Sequence, residues 1–265
     1  MEIKHDFHFH TFYSNDADKT ANIENYVKLA KEMGYNKLGV AEHFWDDKIE
    51  GAFDFYKPLT YGHVSQVKAD IDRFNSDEVK LYFGAEVEYN PKTKAPAITE
   101  ETAEKFDFII VPNSHVHETC PAMYNEAPEK LNDYMLEVYD NIIKSSISKY
   151  ILSMAHPFSL VRCPYSSGML IDLVSDDTFK RMFEKTAKKD IAVEINAGAL
   201  YWGKTDADME KDSHIRMFRL AKEAGCKFTF GSDAHFWLDI KRREQNEFLA
   251  SLVGLSDGDI AEFVR

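Results

Sequence analysis

No apolar run in this 265-residue chain approaches the eighteen or so residues that a membrane-spanning helix needs. The start, MEIKHDFHFH, also lacks the apolar stretch of a secretory signal, so a cytoplasmic protein with no membrane partner is expected. Cysteine is scarce. Cys120, Cys163 and Cys226 are scattered without C-x-x-C spacing, which argues against a disulfide framework and against a thiolate metal site. Basic charge is in deficit, with 32 Lys and Arg against 45 Asp and Glu and a formal net charge of −13. Such a balance opposes attraction to nucleic-acid phosphates, although a local basic pocket for one small phosphate is compatible with it. There is no Ser/Gly/Pro-rich linker, low-complexity tract or internal repeat, so residues 1–265 are expected to form one domain with a core that needs no cross-links.

What the chain does contain is an alternation of short apolar runs and amphipathic stretches. Strands are expected at Ile3 to Phe9, Lys37 to Ala41, Val79 to Ala85, Phe106 to Val111, Tyr150 to Ala155, Ile191 to Ile195 and Lys227 to Gly231. Between them, "NIENYVKLAKEMG" places Ile23, Val27, Ala30 and Met33 on one helical face before Gly34, and "HIRMFRLAKEAG" closes at Gly225. Seven βα-like units predict an α/β fold with a closed or nearly closed parallel barrel of TIM type.

"DFHFHT" sets His8 and His10 two apart, so an extended segment would aim both at one face and Phe7 and Phe9 at the other. An isolated H-x-H is weak evidence for a metal site. Here, however, every expected strand delivers a coordinating group at its C-terminal end, the face on which parallel barrels build active sites. His43 follows the second strand, Glu86 ends the third, His115 follows the fourth and His156 ends the fifth. Glu194 and Asn196 end the sixth, and Asp233 and His235 follow the seventh. An imidazole and carboxylate set without thiolate suits Zn, Mn or Fe(II). His5, His63 and His214 read as solvated or structural, and His117 is open between ligand, proton donor and substrate contact.

In this order, "DFHFHT…SND", "AEHF", "GAEVEY", "NSHVH", "AHP", "EINAG" and "GSDAH" resemble the polymerase and histidinol phosphatase (PHP) family, and most closely its monofunctional histidinol-phosphate phosphatases. That resemblance implies a distorted seven-stranded barrel and three divalent metal ions. Carried over by position, His8, His10, Glu86 and Asp233 would hold one ion, and Glu86 would bridge to a second held by His115 and His156. Asp16, His43 and His235 would hold the third. Asp16 rests on the resemblance, since an acidic loop residue is ordinarily solvated.

Closely spaced divalent metals suit phosphate-ester hydrolysis, because they activate a water between them and offset phosphoryl charge. Arg162, six residues after His156, is placed to reach over the rim and clamp the phosphate with its planar fork. Asn196 would position substrate or cap a loop, and Glu42, where many relatives carry Asp, would pair a substrate ammonium group. The fourth-strand motif reads "PNSH" and "EINAG" continues into "ALYWGK" without the usual arginine, leaving Tyr201, Trp202 or Lys204 to make those contacts. The expected partner is a small phosphorylated substrate, with L-histidinol phosphate leading. Alternatives are another small phosphate ester or nucleotide, a noncatalytic metal-binding domain and a C–N hydrolase.

Overall fold

The computed structural model describes residues 1–265. Its chain begins with β1 (His5–Phe9), β2 (Lys37–Phe44) and β3 (Lys80–Val87), followed by a small antiparallel pair, β4 (Tyr89–Asn90) and β5 (Ala95–Pro96). Then come β6 (Phe108–Pro112), β7 (Ile151–Ala155), β8 (Ala192–Asn196) and β9 (Phe228–Gly231). Seven strands form one parallel sheet in the order β1-β2-β3-β6-β7-β8-β9. The sheet nearly closes on itself, because Phe9 bridges Ala234 and the His10 N–H donates to the Ala234 carbonyl at 2.9 Å. The expected barrel is therefore present.

Five helices of eleven or more residues pack around it: α1 (Ile23–Met33), α2 (Pro128–Lys144), α3 (Asp176–Lys188), α4 (Ser213–Glu223) and α5 (Arg243–Val253). In α1 the Asn22 side chain caps the Asn25 N–H, Gly34 ends the helix at a φ of 75°, and Ile23, Tyr26, Val27 and Ala30 are buried. No helix is long and apolar enough to cross a membrane.

All seven expected strands form, with two differences that matter for the site. β2 continues through Phe44, because it pairs with β3 in unbroken register from Lys37↔Lys80 to Phe44↔Val87, and so Glu42 and His43 lie on the strand. In β1 the register shifts between Asp6 and Phe9. This irregularity breaks the simple alternation: Phe9 packs on Tyr26 of α1 at 4.4 Å, whereas Phe7 meets Phe108 at 5.1 Å and Tyr82 at 5.3 Å. The two phenylalanines therefore do not share a face. Phe7, Tyr82 and Phe108 join Phe263 from the C-terminal segment in an aromatic plug at the N-terminal end of the strands. Glycine is required beside it, since a Cβ on Gly84 would sit 2.3 Å from the Phe108 ring.

Candidate metal centre

Glu86 stands near the C-terminal end of β3, at the opposite end of the barrel, with 1% of its surface exposed. Its Oε2 lies 3.6 Å from the Nε2 atoms of both His8 and His10 and 2.8 Å from His43 Nδ1. Its Oε1 lies 2.9 Å from His156 Nε2 and 3.7 Å from His115 Nε2. One carboxylate thus stands among five imidazoles brought by β1, β2 and the loops after β6 and β7. Asp233 closes the group from the β9 side, 3.3 Å from His8 Nε2 and 3.1 Å from His10 Nε2. Asp16, from the loop after β1, lies 3.5 Å from His43 Nε2 and 3.3 Å from His235 Nε2.

Five of the six imidazoles are held from behind by their other nitrogen. His8 Nδ1 meets Glu194 at 2.9 Å, His115 Nδ1 meets Glu88 at 2.9 Å and His156 Nδ1 meets the Ser114 hydroxyl at 2.9 Å. His10 Nδ1 is 3.3 Å from Ser14 Oγ, and His235 Nδ1 is 3.0 Å from the Asp233 carbonyl. Outer partners of this kind fix tautomer and ring orientation and leave the inner nitrogen free to coordinate. In keeping with this, buried His8 Nε2 has no hydrogen-bond partner, and His43 Nδ1 and Glu86 Oε2, 2.8 Å apart, have none but each other. Unpaired lone pairs converging in a dry pocket fit divalent cations, which would satisfy them all at once.

The electrostatics fit as well. Burial would raise the Glu86 carboxyl, but His8, His115 and His43 hold it well below the usual carboxylate range. Burial opposes charge on His8 too, yet Glu194, Asp233 and Glu86 lift it well above its ordinary value. His10 behaves in the opposite way, pushed down to about 3 by burial and by His43 and His235. Protons on His8 and His43 and cations would therefore compete for the same nitrogens.

Three sets of donors fall within 4.8 Å of one another: His8, His10 and Asp233; His10, His43 and His235; and His8, Glu86 and His156. The structure thus gathers all nine expected ligands at one end of the barrel, with His115 and Asp16 outside the compact triplets. Asp16, His43, His115, His156, Asp233 and His235 line an open cavity of about 1310 Å³, beneath which His8, His10 and Glu86 are buried. Arg162, His117, Trp202 and Lys204 line the same cavity farther out.

Other expectations need correction. Glu42 is fully buried and accepts from the Thr11 N–H at 3.0 Å, the Ser14 hydroxyl at 2.6 Å and the Thr11 hydroxyl. It braces the loop after β1 and has no oxygen left for a substrate ammonium. Asn196 is 1% exposed and its Oδ1 caps the Ala199 N–H at 3.0 Å, so it serves the turn and not the substrate. His117 lies in a single helical turn, Val116–Thr119, with its ring 5.5 Å from that of His115, and enters none of the donor triplets. Glu194 backs His8 without entering the donor triplets. The role of Glu88 was missed, and the i, i+2 spacing of "EVE" is the signal that would have found it.

Residues 6–198 match the family model described as PHP domain, and no curated protein matches the chain. Among solved structures, the histidinol phosphate phosphatase HisK of Lactococcus lactis subsp. lactis, complexed with zinc, L-histidinol and phosphate, is 20% identical. The alignment covers 96% of this chain and 94% of that one, with a TM-score of 0.64. The putative histidinol phosphatase HisK of Listeria monocytogenes is 14% identical, covering 92% of this chain and 99% of that one at a TM-score of 0.62. At these identities the likeness is one of fold.

Proposed function

The chain belongs to the PHP domain family, and from that premise we propose that it is a metal-dependent phosphomonoesterase whose leading substrate is L-histidinol phosphate, released as L-histidinol and phosphate. The observation that carries this reading is the ring of five imidazoles whose inner nitrogens converge on Glu86 while outer partners hold four of them in place. Three divalent ions, of Zn, Mn or Fe, are assigned to it. His8, His10, Glu86 and Asp233 would hold the first, Glu86, His115 and His156 the second, and Asp16, His43 and His235 the third. The division of Glu86 into an oxygen facing His8 and His10 and an oxygen facing His115 and His156 supports its bridging role. Bound there, such ions supply a lowered water pKa and neutralisation of phosphoryl charge.

Arg162 takes the phosphate. It is exposed, forms no ion pair within the chain, and lines the cavity with a fork free to meet two oxygens. A second reading, hydrolysis of a bulkier phosphomonoester such as a nucleotide, draws support from the cavity. Its volume of about 1310 Å³ exceeds the roughly 300–1,000 Å³ usual for small-molecule sites.

Phosphate release from L-histidinol phosphate and a panel of nucleoside monophosphates, with and without chelator, tests both readings. Chelator-sensitive turnover highest on L-histidinol phosphate is expected. Preference for a nucleotide would replace the substrate, and turnover of no ester after reloading with Zn, Mn and Fe(II) would end the phosphatase reading.

A further inference from the structure

A second polar chain runs into the wall of the same cavity, and the metal chemistry makes no use of it. Ser159 lies just past β7, three residues beyond His156, and its Oγ is 3.2 Å from His214 Nε2. His214 Nδ1 is 2.7 Å from Asp212 Oδ1, and Asp212 Oδ2 is 2.6 Å from Lys204 Nζ. The imidazole is 1% exposed, the serine is half-buried, and all three groups line the cavity. Hydroxyl, imidazole and carboxylate in this sequence transmit a proton between solvent-facing oxygen and buried nitrogen.

Two uses suit such a chain, and the backbone decides between them. A serine nucleophile would need free N–H groups nearby to stabilise an oxyanion. Here the N–H of Phe158 is given to Asn113 Oδ1 at 3.1 Å, that of Ser159 to the His156 carbonyl at 3.1 Å, and that of Leu160 to Ser167 Oγ at 2.9 Å. Every donor flanking the hydroxyl is committed, so acyl transfer has no support. Proton delivery needs none of them.

We infer that Ser159, backed by His214 and Asp212, is the general acid that protonates the leaving alcohol. The inference rests on the phosphomonoesterase reading. In the imidazolium form, His214 Nδ1–H donates to Asp212 and Nε2–H donates to Ser159 Oγ, which leaves the Ser159 O–H to point at the ester oxygen. As the P–O bond to that oxygen breaks, the Ser159 proton passes to it and the Nε2 proton passes to Ser159. The products are the alcohol and a neutral imidazole, and the proton given up by the attacking water restores the imidazolium. Ser159 is the catalytic residue in this scheme, while His214 and Asp212 act through it.

Leaving-group dependence tests the inference, because an alkoxide needs a proton and a nitrophenolate departs without one. On the metal-loaded enzyme, kcat is measured for alkyl phosphates (L-histidinol phosphate and glycerol phosphate) and for 4-nitrophenyl phosphate. Ser159→Ala is expected to lower the ratio of alkyl to nitrophenyl kcat about a hundredfold, within the range for a lost general acid. His214→Gln, whose amide can hold the hydroxyl but cannot give up a proton, is expected to lower it in the same direction. Should that buried substitution fail to fold, the serine variant carries the test alone. Loss by one common factor on all esters, or no loss, overturns the assignment. So does a wild type active only on the nitrophenyl ester, whereas activity on none overturns the phosphomonoesterase reading itself.

Discussion

The two ends of the barrel are made by the same strands and have opposite chemistry. On β1, Phe7 sits 5.1 Å from Phe108 in the aromatic plug, while the next residue, His8, reaches Glu86 and Asp233. On β3, Tyr82 packs on Phe7 and Phe263, and Glu86 four residues later collects five imidazoles. The plug gains from removing aromatic surface from water. The imidazole end gains little, because buried ion pairs recover in attraction about what desolvation costs them. Stability and chemistry are therefore separable along single strands, and the aromatic end must sustain a polar end that does not sustain itself.

The largest effect is expected where that polar end is discharged. Glu86→Gln keeps shape but removes the charge around which His8, His43, His115 and His156 gather. Metal content should fall and kcat/KM should drop on the order of a thousandfold, beyond the roughly 10–100-fold that loss of an outer partner costs. The melting temperature of the metal-free protein should fall, since His8 and His43 lose a buried partner that favours their charged forms. Normal turnover with full metal loading would remove Glu86 as the bridge. The converse substitution, Phe108→Ala, should cost about 3–5 kcal/mol in urea unfolding. The void would face Gly39 and Gly84, whose missing side chains cannot fill it. Its metal affinity should remain near wild type; a loss of metal equal to that of Glu86→Gln would show that the two ends are not independent.

The sequence made the polar end more legible than the plug. Strand-end histidines and carboxylates recur after each apolar run, and a parallel barrel brings such positions to one rim whatever the loop details. The nine expected ligands come together for that reason. Features that depend on register were hidden: the shift in β1 that turns Phe7 away from Phe9, and the continuation of β2 through Glu42 and His43. Features that depend on which distant segments meet were hidden too. Phe263 reaches the plug from the far end of the chain, and Ser159 meets His214 across 55 positions. Glu42 was misread because a carboxylate beside a ligand reads as functional until its oxygens are found taken by Thr11 and Ser14.

At the mouth, a smaller effect separates phosphate handling from metal binding. Arg162 stands exposed on the cavity wall without an ion pair, so its fork is available. Arg162→Ala should leave metal content unchanged while lowering kcat/KM on phosphate esters about a hundredfold, as expected when a preorganised charge partner is lost. Arg162→Lys should recover only part, for it restores charge without the planar pair of donors. Unchanged kinetics in the alanine variant would take Arg162 out of the clamp.

The smallest effect sharpens the comparison most, because it sets two histidines of one strand against each other. His8 is drawn toward the charged form by three carboxylates, whereas His5, at the other end of β1, has none. His5 is 4% exposed, its ring lies 5.6 Å from that of Phe230, and its Nε2 accepts the Phe230 N–H at 3.1 Å. Burial, helped by Lys37, pushes it down to about 3. A histidine whose folded value is depressed contributes stability above its ordinary value of about 6.5, and that contribution is lost as pH falls from 6.5 toward 3. Between pH 8 and pH 5.5 the loss from His5 alone is on the order of 1 kcal/mol. His5→Gln keeps an acceptor for the Phe230 N–H and cannot titrate, so its unfolding free energy should fall less over that interval. Urea unfolding of both metal-free proteins at the two pH values measures the difference, in which titration of His8 and His43 cancels. Equal pH slopes would mean that His5 carries its proton in the fold, and the plug end would then not be the apolar counterpart that the metal end requires.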